Sequence, residues 1–274
     1  MKVSLCTITF RHHLVSISDI AGFARRAGFD GIELWGAHAR NLGPGEHAAW
    51  LSAQGLTVPM LSDYLPLDAE EDCFRRCINE LGELARLWGA PRVRTFAGNR
   101  GSAATSAGER RFLTRRLREA AARFGDHGLR LLVETHPGTL ADGLSSLLQL
   151  LDEAADPALR VNFDTLHVWE GGADPLTAHD QLAGHIDYYH LKNVRRRADL
   201  GVFEPANVYA AAGRREGMTP LFEGIVDYPQ FLRALPRHAK ASLEWFGGNC
   251  HAVLAADLAA IRHLPDASRL RATG

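Results

Sequence analysis

A chain of 274 residues, 46% hydrophobic and 23% charged, has the size and composition of one large α/β domain, and barrels of that class commonly run to about 250 residues. A formal net charge of −1 gives no global field to recruit nucleic acid or an anionic membrane, and no apolar run approaches the roughly 20 residues that span a bilayer. Thirteen histidines raise the expectation of metal or acid–base chemistry; of the four cysteines, Cys73 and Cys77 share a helix face, but no second pair completes a zinc site, so reduced thiols are expected.

The start, Met1-Lys2-Val3-Ser4-Leu5-Cys6, has no signal-peptide architecture and runs directly into a strand, which makes a reducing cytoplasm the expected compartment. Residues 3–8 read as the first strand and 17–27 as the first helix. Strands follow at 31–34 and 56–61, then a long helix at about 68–88. A fourth strand at 92–96 precedes a helix at about 107–127, and a fifth at 130–134 precedes one near 143–154. The sixth strand, 160–164, leads to a short helix near 175–182. The seventh is 186–191, the eighth 241–245, and a helix near 252–263 closes the series. Gly28, Gly55, Gly89 and Gly128, each just before or near a strand, suit helix C-terminal stops. Eight strands alternating with helices imply parallel βαβ crossovers and a single-domain TIM (β/α)8 barrel over residues 1–274. An open doubly wound sheet is disfavoured, because Thr7-Ile8-Thr9-Phe10-Arg11-His12-His13 after the first strand is no Gly-rich phosphate loop. Residues 192–227 show no clear helix yet carry Phe203, Tyr209 and Phe222. After the seventh strand of a barrel, this loop is expected to cover the active-site mouth.

Glu134, Asp164, His190 and Glu244 end the fifth to eighth strands. In a TIM barrel those ends converge on the face that carries active sites. Three carboxylates gathered near a barrel axis repel one another and lose hydration, so a divalent cation or buried Arg and Lys partners must compensate. Three oxygen donors and one imidazole suit Mn2+ first, with Mg2+ or Co2+ as alternatives, better than a thiolate-rich zinc site. Residues two apart share a strand face. His136 therefore follows Glu134 as a candidate general base or metal-orienting group, and Lys192 follows His190 as a substrate-anion contact or a counter-charge. Arg94 is a carboxylate clamp, or an ion-pair partner of Glu33. His167, three after Asp164, is a supporting group, a substrate donor or a ligand, and Tyr64 offers a phenol or apolar surface. Of His12 and His13, at least one belongs to a solvated loop.

The order Glu, Asp-x-x-His, His, Glu at strand ends resembles the sugar-phosphate isomerase/epimerase-like superfamily, the xylose isomerase-like or type-2 AP-endonuclease-like TIM barrels. Blocks spread nearly end to end are similar to the bacterial 3-dehydroshikimate dehydratases that feed petrobactin-type siderophore synthesis. They are MKVSLCTITFR at 1–11, GIELWGAH at 31–38, VRTFAG at 93–98, ETHP at 134–137, HVWEGGADP at 167–175, VFEPANVYAAAG at 202–213, PLFEGIV at 220–226 and ASLEWFG at 241–247. The run Arg195-Arg196-Arg197 is more basic than that family leads one to expect. The resemblance implies metal-dependent dehydration of 3-dehydroshikimate to 3,4-dihydroxybenzoate (protocatechuate). His136 takes the C4 proton, Arg94 and Lys192 hold the substrate carboxylate, and Tyr64 and Phe203 enclose the ring. It admits a homodimer, although no apolar stripe in the sequence marks an interface. A sugar or hydroxypyruvate isomerase/epimerase would use the same cage. An abasic-site nuclease would need more metal ligands and a basic track. A non-catalytic barrel would be expected to have lost part of the ligand set.

Overall fold

The structure is a computed structural model that describes residues 1–41 and 47–264. Seven parallel strands follow one another around a ring: β1 (Lys2–Cys6), β2 (Gly31–Trp35), β3 (Leu61–Ser62), β4 (Arg92–Thr95), β5 (Arg130–Glu134), β6 (Leu159–Asp164) and β7 (Ile186–Leu191). A two-stranded antiparallel sheet of β8 (Asn193–Val194) and β9 (Met218–Thr219) interrupts the series. Then β10 (Lys240–Leu243) closes the barrel between β7 and β1. The eight-stranded barrel expected from the sequence is therefore the observed fold.

The barrel is organised by strand alternation. Val3, Leu5, Ile32, Leu34, Val93, Leu131, Val133, Val161, Phe163, Leu191 and Leu243 belong to the apolar core between sheet and helices. The intervening positions point inward and are largely polar: Glu33, Arg94, Glu134, Asp164, His190 and Ser242 are all buried. Below them Met60, Leu132 and Tyr188 form a separate apolar plug with no exposed surface. The polar residues are therefore dry from beneath and open only toward the strand C-termini. Register sets their neighbours: Asp164 lies opposite His190 across β6 and β7, and Ser242 opposite His190 across β10 and β7.

The helices begin and stop where local chemistry directs. Ser16 and Asp19 form a reciprocal capping box for Ile17–Ala27. Gly28, Gly55, Gly89 and Gly128 all take positive φ, which a side chain would oppose. The third strand is shorter than the run 56–61 suggests. Pro59 has no N–H for the ladder, so pairing contracts to an isolated bridge at Thr57 and the pair Leu61–Ser62. Short helices at Gly36–Arg40, Ala48–Ala53, Thr165–Glu170 and Tyr228–Ala234 lie outside the expected set. Each is too brief to show a full apolar period. Residues 192–227 are also more ordered than a bare loop. Besides β8 and β9 they contain turns of 3-10 helix at Arg197–Phe203 and Leu221–Glu223, and a turn of α-helix at Pro205–Val208. The four cysteines are free thiols, and no described helix is long and apolar enough to cross a membrane.

One buried acid serves this scaffold. Asp257, on the helix Cys250–His263, accepts a hydrogen bond from the Leu221 amide at 3.0 Å, and burial lifts its carboxyl from 3.8 to about 6. A carboxyl whose folded pKa is raised costs nothing below its unfolded value; the cost builds as pH rises from the unfolded to the folded value and is complete above it. Asp257→Asn keeps the acceptor without the charge. It is expected to stabilise the protein by roughly 2–3 kcal/mol at pH 8 and by almost nothing at pH 3.5, as read by denaturant unfolding at both pH values.

Candidate metal centre

Three strand ends bring Glu134, Asp164 and His190 together, with one ligand atom from each within 4.8 Å of the others. The side chains are held, not merely close. Asp164 is the N-cap of the helix Thr165–Glu170: its Oδ1 accepts from the His167 amide at 3.1 Å, which leaves Oδ2 turned to the barrel axis. His190 Nδ1 looks onto three carboxylates, at 3.3 Å from Glu134 Oε1, 3.5 Å from Glu244 Oε1 and 4.0 Å from Asp164 Oδ2. Glu244 stands just past β10, beside the three-residue group.

The buried salt bridges considered as an alternative to a metal are present as well. The Lys192 ammonium lies 2.6 Å from Asp164 Oδ2 and 2.8 Å from Glu244 Oε2. Arg94 Nε lies 2.9 Å from Glu134 Oε2, so Arg94 pairs with Glu134 and not with Glu33. Glu33 instead lies against His190 Nε2, 3.0 Å from both of its oxygens, and accepts from the Ser62 hydroxyl. Formal charge favours a cation in addition to these salt bridges. Four buried carboxylates (Glu33, Glu134, Asp164, Glu244) face two permanent cations, Arg94 and Lys192, so two negative charges remain uncompensated when His190 is neutral. A doubly charged cation closes that deficit. Without one, the imidazole takes up part of it. Burial disfavours a charged His190, but Glu33, Glu244 and Glu134 outweigh burial and raise its pKa well above the ordinary value. Burial alone would raise Glu244, yet Lys192 and His190 hold it at about 2. Asp164 Oδ2 and Glu134 Oε2 are enclosed and accept no well-directed hydrogen bond. This hard-oxygen donor set with one imidazole fits a divalent cation.

A cavity opens above the cage. Glu134, Glu244, Lys192 and Arg94 form its polar end, while Ile8, Phe96, Phe203 and Phe246 supply apolar wall. The expected site residues Tyr64, His136 and His167 line it too. His136 donates from Nδ1 to the Pro137 carbonyl at 2.7 Å, which leaves Nε2 bare. Burial, then the neighbouring His167, push its pKa down to about 3, so the ring is a neutral base. His167 donates from Nδ1 to Glu170 at 2.7 Å, and its ring lies 4.7 Å from that of His136. The Arg94 guanidinium stacks on Tyr64 at 5.2 Å and Phe96 at 4.9 Å, and the Lys192 ammonium lies 5.1 Å over Phe203.

Residues 192–227 add Phe203, Pro205, Val208 and Tyr209 to the cavity wall. The Tyr209 and Tyr64 hydroxyls meet at 2.7 Å. Arg11 and His12 both donate to the Val208 carbonyl, His12 at 3.0 Å; His12 and His13 are both exposed, as a solvated loop requires. Arg197, from the basic run, reaches the Trp169 and Glu170 carbonyls at 3.0 and 2.9 Å and caps the end of their helix. Glu33, Phe96, Phe246 and Arg11 were not among the residues expected at the site. The alternation rule that picks Glu134 and His190 would also have picked Glu33, the inward residue of GIELW.

The family model for the xylose isomerase-like TIM barrel matches residues 21–267. The 3-dehydroshikimate dehydratase of Bacillus anthracis is 46% identical over 268 residues, 94% of this chain and 95% of that protein. The crystal structure of the probable 3-DHS dehydratase AsbF, involved in petrobactin synthesis in Bacillus anthracis, aligns with a TM-score of 0.93 at 44% identity, covering 97% of this chain and 100% of that one. An L-ribulose 3-epimerase shares the fold alone, with a TM-score of 0.76 at 18% identity over 99% of this chain and 97% of the other. Matches over nearly the whole length, in sequence and in fold, establish that the chain belongs to the xylose isomerase-like TIM-barrel family.

Proposed function

We propose that this enzyme is a hydro-lyase that converts 3-dehydroshikimate to 3,4-dihydroxybenzoate and water. The observation that carries the chemistry is one cavity in which the bare Nε2 of His136 adjoins a buried cage whose four carboxylates face two permanent cations. The choice of substrate rests on the similarity to the Bacillus anthracis dehydratase.

Glu134, Asp164, His190 and Glu244 would hold the cation, Mn2+ first. When bound, it supplies Lewis-acid stabilisation for negative charge growing on a neighbouring ketone oxygen. His136 Nε2 accepts the C4 proton while the C4–H electron pair moves toward the C3 oxygen. Its Nδ1–H stays on Pro137 and keeps the basic nitrogen aimed into the cavity. The C5–O bond then breaks and the hydroxyl leaves as water with the proton that His136 Nε2 acquired, beside the His167 ring. Loss of a C6 proton and protonation of the C3 oxygen complete the aromatic ring. Arg94 and Lys192 provide positive charge for the anionic substrate, and Tyr64 and Phe203 enclose its ring.

Isomerases and epimerases begin with the same proton abstraction but yield no aromatic ring, so one assay separates them. Purified protein incubated with 3-dehydroshikimate and Mn2+ is expected to generate the absorbance of the catechol product, and chelation is expected to stop it. No aromatic product at any metal loading, with isomerised ketose from sugar substrates, would replace the dehydratase reading.

A further inference from the structure

We infer that Glu33 is the positioning residue of His190: it accepts a hydrogen bond from Nε2–H and fixes the ring with a bare Nδ1 turned to the cation seat. This inference rests on reading the cage as a divalent-cation site. A neutral imidazole has one N–H and one lone pair, and the partner of one nitrogen decides the state of the other. In His190 the two nitrogens face opposite surroundings. Nδ1 looks onto Glu134, Glu244 and Asp164, at 3.3, 3.5 and 4.0 Å. Nε2 is 3.0 Å from each oxygen of Glu33. With no anion behind it, a ring facing three carboxylates would keep its proton on Nδ1 and present an N–H where a ligand must present a lone pair. Glu33 supplies the competing acceptor.

Its placement fits that task and no other described one. Glu33 comes from β2, across the barrel from β7, and its side chain has no exposure. Among the described residues its only ion-pair partner is His190, because Arg94 turns to Glu134 and Lys192 to Asp164 and Glu244. It also lies on the Nε2 side of the ring, away from the seat that Nδ1 faces, so it orients a ligand instead of being one. The Ser62 hydroxyl, directed at Glu33 Oε1, continues the chain outward and fixes the carboxylate in turn. A fully buried carboxylate is costly to keep unless its partner needs the charge.

The test is metal binding, which requires no substrate. Glu33→Gln preserves shape but removes the strong acceptor, and its Mn2+ affinity by calorimetry is expected to fall about 10–100-fold. The visible ligand-field spectrum of the Co2+-loaded variant should differ from that of the native chain, because the imidazole has turned. Ser62→Ala removes the outer link alone; a loss of about fivefold is expected, with a spectral change in the same direction, and this variant serves if Glu33→Gln does not fold. Affinity within twofold of the native chain in a folded Glu33→Gln protein overturns the inference. So does weakened binding with an unchanged Co2+ spectrum, which would make Glu33 a remote charge. A native chain that binds no Mn2+ overturns the cage reading itself, whereas a dehydratase assay that fails while Mn2+ binding responds to Glu33 removes only the proposed substrate.

Discussion

Glu134→Gln is expected to weaken Mn2+ binding by more than about 100-fold, since loss of an outer-shell partner alone costs about 10–100-fold, and to abolish dehydration. Glu134 has two tasks. Its Oε1 faces His190 Nδ1 at 3.3 Å and its Oε2 holds Arg94 at 2.9 Å. Removing its charge halves the negative excess that a divalent ion neutralises, so a bound ion would leave one positive charge in a dry interior. The amide also meets the buried Arg94 guanidinium with a weaker acceptor, and a modest loss of stability should accompany the loss of metal. Calorimetric titration with Mn2+ beside circular dichroism separates the two effects. A folded Glu134→Gln protein with full activity would refute the role given to this residue.

His136→Ala is expected to behave differently, with turnover down about 10²–10⁴-fold and Mn2+ affinity unchanged. The ring donates to the Pro137 carbonyl and touches no carboxylate of the cage through a described hydrogen bond. Its removal takes away a base and leaves the donors in place. Burial and His167 already hold the ring neutral, so it can accept a proton without first losing one. Measured together, the kinetic constant and the metal content distinguish this role from the alternative left open by the sequence. Loss of metal along with turnover would make His136 a ligand or an orienting group.

Much of this site is visible in the chain because barrel geometry turns sequence order into spatial order. Glu134, Asp164 and His190 end adjacent strands, and the parallel register that sets Asp164 opposite His190 follows from the fold itself. The pairing of charges is less visible. Both Glu33 and Glu134 are inward acids within reach of Arg94, and only the three-dimensional stagger assigns Arg94 to Glu134 and Glu33 to His190. The position of Lys192 between Asp164 and Glu244 likewise depends on a long side chain folding back toward the axis. In residues 192–227 no periodicity exists to be found. That segment is held by contacts distant in sequence, such as Arg11 and His12 on the Val208 carbonyl and Tyr64 against Tyr209. The helix Tyr228–Ala234 did have a legible start, because Asp227 caps it and Pro229 sits in its first turn.

The central claim is that a divalent cation sits among Glu134, Asp164, His190 and Glu244 and balances the charge of the cage. Anomalous diffraction from crystals grown with Mn2+ tests it most directly. One strong peak is predicted at the barrel axis, within coordination distance of all four side chains and on the Nδ1 side of His190. A map with no peak there, or with Mn2+ bound only elsewhere on the protein, would contradict it.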